Sequence, residues 1–139
     1  MDIQLHHDFS LANLDELQQI YLSVGWKRRD IGIIRKILAA STHVTIAMDG
    51  QRMVGFGRAI SDGVFNAAIY DVVVHPDYQR HGIGKRIVED LLHRLRDISC
   101  VHLIATTGNE HFYRGVGFKK VKTAMARYLS PALDSEYLE

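Results

Sequence analysis

Hydrophobic positions in the first third of the chain follow a helical period. Apolar residues recur at intervals of three and four from Leu11 to Val24, which predicts a helix with Ser10 as its N-cap and Gly25 as its end. A second short helix is predicted after Asp30, and residues 3–6 suit a short strand that precedes both helices.

The pattern then changes to alternation of apolar and small or polar residues, which is typical of strands. Three strands are predicted, at about residues 44–48, 52–60 and 65–74. The turns between them are Asp49-Gly50 and Asp62-Gly63, whose residues tolerate the positive φ angles of tight hairpins. The three strands therefore form an antiparallel meander.

Helix and strand follow each other in the second half of the chain. Residues 82–98 form the clearest helix, with one apolar stripe made of Ile83, Ile87, Leu91 and Leu95. A buried strand is predicted at Val101–Ala105, and a short helix at residues 110–116 ends at Gly117.

Two last strands are predicted at residues 118–122 and 124–129, giving the order β-α-α-β-β-β-α-β-α-β-β. A meander followed by a strand–helix–strand crossover implies a mixed, mostly antiparallel central sheet flanked by helices. The fold class is therefore α/β in the broad sense (α+β). The chain has 139 residues and no internal repeat or linker, so a single domain over residues 1–139 is expected.

Composition argues against several partners and compartments. The 17 basic and 16 acidic side chains give a formal net charge of +1, so no large field draws the chain to nucleic acid or to an anionic membrane. No apolar run approaches the roughly 20 residues that span a bilayer, and the N-terminus shows no secretory signal. The single cysteine, Cys100, is interpreted as a small core residue rather than a nucleophile. These features predict a cytoplasmic protein.

The strongest chemical pattern is Gln79-Arg80-His81-Gly82-Ile83-Gly84-Lys85, which leads from a strand into a helix. Glycine lets backbone approach a ligand, and the first turn of a helix offers unpaired N–H groups and the positive end of a dipole. Arg80 and Lys85 add positive charge. The segment predicts a phosphate or pyrophosphate site. A glycine-rich helix start without a ligand explains the string alone equally well.

Two other nucleotide-binding loops fit less well. No Walker string of Gly-x-x-x-x-Gly-Lys-Ser/Thr is present. The dinucleotide fingerprint requires a third glycine that Gly82-x-Gly84 lacks, and Gly55-x-Gly57 lies within a strand that leads to no helix.

The segment Gln79 to Gly84 resembles the Gln/Arg-x-x-Gly-x-Gly/Ala motif of the GNAT acetyltransferase superfamily. A second segment, Phe112-Tyr113-Arg114-Gly115-Val116-Gly117-Phe118, is similar to the Phe-Tyr-x-x-x-Gly-Phe motif of that family. The two motifs occur in the family's order, and the resemblance covers about residues 44–128. It implies a GNAT-like sheet and acetyl-CoA as the cosubstrate.

The resemblance also implies where the cosubstrate is held. The strand before the loop would run beside the pantetheine arm, and the amides of the loop would hold the pyrophosphate. The residues expected at this site are Val72, Val73, Val74, Arg80, His81, Gly82, Ile83, Gly84, Lys85, Asn109 and Phe112. Asn109 is equally well explained as the N-cap of the following helix.

The implied reaction is attack of a neutral primary amine on the thioester carbonyl, with a thiolate as leaving group. Backbone N–H groups at a splayed strand can stabilise the oxyanion. Tyr113 matches the family's usual proton donor, and a tyrosine hydroxyl has a suitable acidity. The alternative is that Tyr113 only packs against the cosubstrate.

No general base is evident in the sequence. Ala68 and Tyr70 stand where several members of the family carry Glu or His. Asp71 is next, but strand alternation directs its side chain to the opposite face, so it is interpreted as a structural hydrogen-bonding residue rather than a base. A proton path through solvent requires no dedicated base.

The acceptor is the least determined part of the reaction. The resemblance implies that it enters between the first two helices and the last strands, so Tyr21, Trp26 and Tyr70 are candidate substrate-binding residues. Packing in the core explains Tyr21 and Trp26 at least as well. A small-molecule amine, a protein or peptide amine, and a non-catalytic module that binds acyl-CoA are the three hypotheses. The family also implies a homodimer, and the eight histidines show no metal-ligand spacing.

Overall fold

The computed structural model of the protein describes residues 1–8 and 14–139. These residues divide into two compact units, a first unit at Met1–Leu103 and a second unit at Ile104–Glu139. The predicted N-cap Ser10 and the first predicted helical turn, from Leu11, lie outside the described residues. The single domain over residues 1–139 stays a prediction.

The first unit, as described, is built on a five-stranded sheet with the order β1-β2-β3-β4-β5. Strands β1 (Ile3–His6), β2 (His43–Asp49), β3 (Arg52–Ser61) and β4 (Asn66–Val74) form successive antiparallel pairs. Strand β5 (Cys100–His102) pairs with β4 in parallel. The predicted meander and the mixed, mostly antiparallel sheet are therefore confirmed.

Two of the three helices of the first unit have termini that follow from local sequence. Helix α1 (Leu14–Ser23) ends before Gly25, which has a φ of 87° and whose N–H donates to the Leu22 carbonyl at 3.0 Å. Helix α2 (Ile31–Ala40) is capped by Asp30, whose carboxylate accepts from the helix's third N–H at 2.9 Å. Both predicted helices are confirmed in the described residues.

The third helix, α3 (Ile83–Arg94), packs closely on two glycines of β3. A Cβ on Gly57 would lie 2.6 Å from Ile87 Cγ2, and one on Gly55 would lie 3.0 Å from Ile87 Cδ1. The neighbouring Phe56 is fully buried in the cluster formed with α1 and α2. Because successive strand residues face opposite sides, α3 and the α1–α2 pair cover opposite faces of the sheet.

This close packing predicts a stability effect at Gly57. We expect Gly57→Ala to lower the free energy of unfolding by about 1–3 kcal/mol, because the added methyl group overpacks the contact with Ile87. Urea unfolding of the wild type and of Gly57→Ala measures the change in the free energy of unfolding. Adding Ile87→Leu to the variant removes the Cγ2 methyl group and should recover part of the loss. An unchanged unfolding midpoint in Gly57→Ala would show that the packing is looser than described.

The second unit, as described, contains two short helices. Helix α4 (Glu110–Arg114) is followed by a turn at Gly117, which has a φ of 100°. Helix α5 (Pro131–Tyr137) is capped by Ser130, whose hydroxyl accepts from the helix's third N–H at 3.5 Å. Tyr128 stacks on the ring of Tyr137 with centroids 5.8 Å apart, which ties α5 to the segment before it.

The two last strands of the prediction are wrong. The described residues 118–129 form no strand, and helix α5, which the sequence analysis did not predict, follows them. The apolar side chains of this segment are largely in solvent, with Met125 96% and Leu129 87% exposed. A strand needs a neighbour that accepts and donates its hydrogen bonds, and the sequence of this segment alone does not reveal whether one is present.

The prediction of a buried strand at Val101–Ala105 is also wrong in part. The strand is β5, one residue earlier and three residues long, and Val101 is half-buried while Cys100 and His102 are exposed. Cys100 is therefore not a core residue. The physical reason is the position of β5 at the edge of the described sheet. It has a neighbouring strand, β4, on one side only.

Candidate active site

The loop between β4 and α3 has the backbone geometry of an anion site. A short 3₁₀ helix at Pro76–Tyr78 follows β4, and two residues with left-handed backbone then lead into α3. These are Arg80 at φ 66° and Gly82 at φ 77°. Gly82 is the N-cap and has no side chain to bond the N–H groups of the first turn, so these groups are left for a ligand or water.

Two side-chain hydrogen bonds hold this loop in place. The Tyr78 hydroxyl donates to the Asp49 carboxylate of the β2–β3 turn at 2.7 Å, which raises the pKa of Tyr78. The Gln79 side-chain amide donates to the Val74 carbonyl at 3.0 Å, so it closes the loop onto the end of β4. The loop is thus preorganised by its bonds to neighbouring residues.

Positive charge surrounds the start of α3. The side chains of Arg80, His81 and Lys85 are exposed, whereas that of Ile83 is buried and contributes only its backbone N–H. Lys85 lies 4.0 Å from Glu89, but both side chains are more than half exposed, so this ion pair contributes little to the stability of the protein. Together with the helix dipole these groups favour an anion. The predicted pyrophosphate residues are brought into one loop, and their contact with phosphate stays a prediction.

Strand β4 loses its parallel neighbour after the first third of its length. Among the described residues, β5 pairs only with Asn66, Ala67 and Ala68. The β5 side of Val72–Val74 is therefore not covered by that strand. The Val73 side chain belongs to the core shared with α1 and α2. This part of β4, which β5 does not pair, leads into the anion loop, which is the arrangement that an extended ligand arm with a terminal phosphate requires.

A bulge interrupts β4 just before this edge. Gly57 of β3 faces two residues of β4, Asp71 and Val72, and Asp71 has a φ of 54°. Arg58 reaches two successive residues of β4: its Nε donates to Asp71 at 2.9 Å, and its guanidinium carbon lies 5.1 Å from the centre of the Tyr70 ring. The expectation that strand alternation separates Asp71 from Tyr70 is therefore wrong, because it assumed a regular strand.

Asp71 is the centre of a polar cluster. Its side chain is only 7% exposed and accepts from Arg58, from Arg29 Nη2 at 3.1 Å and from the Tyr21 hydroxyl at 3.1 Å. Burial and the Asp71 carboxylate hold the pKa of Tyr21 well above its ordinary range, so Tyr21 stays a hydrogen-bond donor. Three donors on one carboxylate fit the structural interpretation of Asp71.

The three aromatic residues predicted to meet the acceptor differ in exposure. Tyr21 is fully buried and stacks on the half-buried Trp26, with centroids 5.7 Å apart. The Arg29 guanidinium lies 4.8 Å from the Trp26 ring, and Tyr70 is 44% exposed. Packing against the core describes Tyr21 and the partly buried Trp26, whereas Tyr70 offers accessible ring surface. Substrate contact stays a prediction for all three.

The second predicted motif lies in the second unit. Tyr113 is on α4, and its ring packs edge-on against Phe112 and Phe118 at centroid distances of 4.9 and 5.9 Å. The Phe118 N–H donates to the Tyr113 carbonyl at 3.0 Å, across the turn that Gly117 forms. Burial raises the pKa of Tyr113, so its hydroxyl keeps its proton throughout the neutral range.

Asn109 occupies the N-cap position of α4, but its side chain does not cap the helix. Its backbone carbonyl accepts from the Tyr113 N–H at 3.3 Å, and its side-chain amide donates to the Thr106 hydroxyl. The N-cap interpretation thus holds for the backbone alone, and a contact between Asn109 and pantetheine stays a prediction.

The predicted site residues fall in both units. The first unit brings together the edge at Val72–Val74 and the anion loop, while Tyr113, Phe112 and Asn109 belong to the second. Their assembly into one site stays a prediction. Sequence reasoning missed the two arginines beside Asp71, because no local pattern links positions 29, 58 and 71.

Among the described residues, no group of three or more His, Cys, Asp and Glu side chains is placed to hold a metal ion. No helix in the described part of the chain has the length and apolar character needed to cross a membrane. The cytoplasmic location and the homodimer stay predictions.

Comparisons with known proteins decide the family. Residues 11–118 match the profile of the Acetyltransferase (GNAT) family. This chain belongs to that family. The recognition of a GNAT acetyltransferase in the two sequence motifs is therefore confirmed.

Among similar proteins, the chain is 42% identical over 117 residues to the "Uncharacterized N-acetyltransferase ycf52" of Porphyra purpurea, covering 78% of this chain and 66% of that protein. It is 36% identical to the "Histone acetyltransferase TAP1" of Glycine max, covering 75% of this chain and 51% of that protein. The chain thus spans between half and two thirds of the length of these relatives. A probable acetyltransferase structure from Staphylococcus aureus has the same fold, with a TM-score of 0.82, 22% identity, and 93% and 99% of the two chains covered.

Proposed function

We propose that this chain transfers the acetyl group of acetyl-CoA to a primary amine of a small molecule. The observation that carries the proposal is the left-handed Gly82, the N-cap of α3, in the loop that follows the part of β4 that β5 does not pair. Membership of the GNAT family and the name N-acetyltransferase on its relatives support the same chemistry. Acetyl-CoA supplies, when bound, an acetyl group activated as a thioester.

The chain's own groups then have separate tasks. The backbone of Val72–Val74 hydrogen-bonds the pantetheine arm as an added strand would. The first-turn N–H groups of α3 bind the pyrophosphate, and Arg80 and Lys85 offset its charge. Tyr113, protonated because burial raises its pKa, donates a proton to the departing thiolate.

The cluster around Asp71 bears on the amine. Arg29 and Arg58 carry two positive charges against the single carboxylate of Asp71. A surplus of positive charge disfavours a nearby ammonium ion and so favours the neutral amine, which is the nucleophile. The three hydrogen bonds that Asp71 accepts leave it poorly placed to take a proton, so the amine proton leaves through solvent in this proposal.

The positive charge of Arg29 and Arg58 also favours one class of acceptor over another. Trp26 lies beside Arg29, and the exposed Tyr70 lies beside Arg58, which suits a small amine with an apolar body. The lysine-rich tail of a basic protein carries several positive charges, so the arginines would repel it more strongly than they repel a small amine with a single charge. The second candidate, a protein amine, is favoured by the name of the Glycine max relative.

Thermal unfolding with and without acetyl-CoA tests the cosubstrate. A hundredfold excess over the dissociation constant adds about 2.7 kcal/mol to the free energy of unfolding, which raises the midpoint by about 9 °C for a chain of this size. We expect this shift with acetyl-CoA and none with NAD or ATP. No shift at millimolar acetyl-CoA would reject the proposed function.

Acceptor class is tested by the rate of thiol release from acetyl-CoA. We expect turnover with primary arylalkylamines to exceed that with a histone-tail peptide at equal concentration. The reverse order would favour the protein-amine candidate. Binding without turnover for any amine would favour a non-catalytic acyl-CoA-binding module.

A further inference from the structure

The bulge in β4 combines backbone strain with a strategic position. Asp71 has a φ of 54°, a conformation that residues with a side chain adopt at a cost of about 1–2 kcal/mol. It lies three positions beyond Ala68, the last residue of β4 that β5 pairs with among the described residues. The bulge thus stands at the point where the edge of β4 becomes free.

The surroundings of Asp71 hold this strained residue from three elements. Tyr21 comes from α1, Arg29 from the connection between α1 and α2, and Arg58 from β3. Both arginine side chains are mostly buried, at 27% and 12% exposed, and Asp71 is the acidic partner of both. Strained backbone persists where such surroundings determine it, and it concentrates at functional sites.

We propose that Asp71 is a positioning residue, which through its bonds to Tyr21, Arg29 and Arg58 fixes the bulge and so aims the backbone of Val72–Val74 at the pantetheine arm. This inference rests on the proposed function, because it assigns a role to the same edge of β4.

Strand geometry explains why the bulge matters to a ligand beyond it. In a strand, a shift of the pairing by one residue moves every side chain to the other face. The bulge adds one residue to β4 opposite Gly57, so its loss would shift the register of Val72 and the residues after it. The backbone groups offered to the ligand at the free edge would then change. Asp71 therefore acts through the backbone of β4 rather than on the reacting atoms, by setting which groups reach that edge.

The test compares Asp71→Asn with a control variant, Asp97→Asn, at an exposed position after α3. Asparagine keeps the shape of the side chain and tolerates left-handed backbone, so the change removes mainly the charge. We expect the dissociation constant for coenzyme A, measured by calorimetry, to rise by at least about tenfold in Asp71→Asn, given the sensitivity of such sites to displacements of about 1 Å. The control should bind as the wild type does.

Hydrogen exchange of the backbone gives a readout without the ligand. We expect the amides of Val72–Val74 to exchange faster in Asp71→Asn than in the wild type. Combining Asp71→Asn with Arg29→Gln removes one charge of each sign, restores the charge balance of the cluster and should recover part of the affinity. If Asp71→Asn does not fold, Tyr21→Phe removes a single bond to Asp71 and should raise the dissociation constant by about two- to threefold.

Two results would overturn the inference. One is a folded Asp71→Asn variant with the affinity and exchange rates of the wild type. The other is a lower kcat at unchanged coenzyme A affinity together with the loss of one limb of the pH profile, which would make Asp71 a base. Wild-type protein that does not bind coenzyme A would instead reject the proposed function, and faster exchange in the variant would still show that Asp71 holds the bulge.

Discussion

Gly82→Asp should raise the dissociation constant for acetyl-CoA by at least about a hundredfold, because it places a carboxylate where the proposed pyrophosphate lies. Two unit charges of the same sign about 4 Å apart repel each other by about 4 kcal/mol near a protein surface. No heavy atom lies within 4 Å of a Cβ built on Gly82, so the side chain itself meets no steric barrier. The expected loss is therefore electrostatic, and calorimetric titration with acetyl-CoA measures it.

The chain offers a matched control for this substitution. Gly63, in the turn between β3 and β4, has the same φ of 77° and is equally free of neighbours at its Cβ position. Gly63→Asp therefore carries the same backbone cost and the same change in net charge as Gly82→Asp. We expect it to keep wild-type affinity. If Gly82→Asp also keeps wild-type affinity, the pyrophosphate does not lie at this loop.

The anion loop was predictable because everything that makes it is contiguous. The end of a strand, the pair Gly82 and Gly84 and the apolar stripe of α3 occupy one short stretch of sequence. The backbone at the loop then follows from local preferences, namely glycine at positive φ and unpaired N–H groups at a helix start. Local structure of this kind requires no knowledge of the rest of the fold.

The cluster at Asp71 was not predictable by the same route. Its members come from positions 21, 29, 58 and 71, which only the folded sheet and its helices bring together. The bulge also reverses the alternation on which the sequence argument relied. The structural interpretation of Asp71 agrees with the contacts, but the argument about the direction of its side chain was wrong.

The end of the chain shows a further limit of sequence patterns. Two strands were predicted at residues 118–122 and 124–129, although the hydrogen bonds of a strand depend on a neighbour that a local pattern does not reveal. The local signal for α5 was Ser130-Pro131. Ser130 is the N-cap of this helix, and Pro131 is its first residue. The prediction that Cys100 is a core residue was wrong for a related reason. The exposure of a residue on the last strand of a sheet depends on the sheet order, which local sequence does not give.

The second large effect is expected at Tyr113. We expect Tyr113→Phe to lower kcat by about a hundredfold, which is the lower end of the contribution of a positioned proton donor. Phenylalanine keeps the ring that packs against Phe112 and Phe118, so the KM for acetyl-CoA should change little. Steady-state kinetics measures both constants. Tyr128→Phe, in the same unit, is the matched control and should leave both of them unchanged.

The dependence of kcat on pH separates the donor from a packing role. Burial raises the pKa of Tyr113 above its ordinary value of 10.0, so the protonated hydroxyl is the main form at every pH below that value. Loss of the donor form should therefore begin only above about pH 10, and Tyr113→Phe should remove that alkaline fall. If the variant instead keeps both the wild-type kcat and the alkaline fall, Tyr113 only packs against the cosubstrate. The thiolate then takes its proton from water.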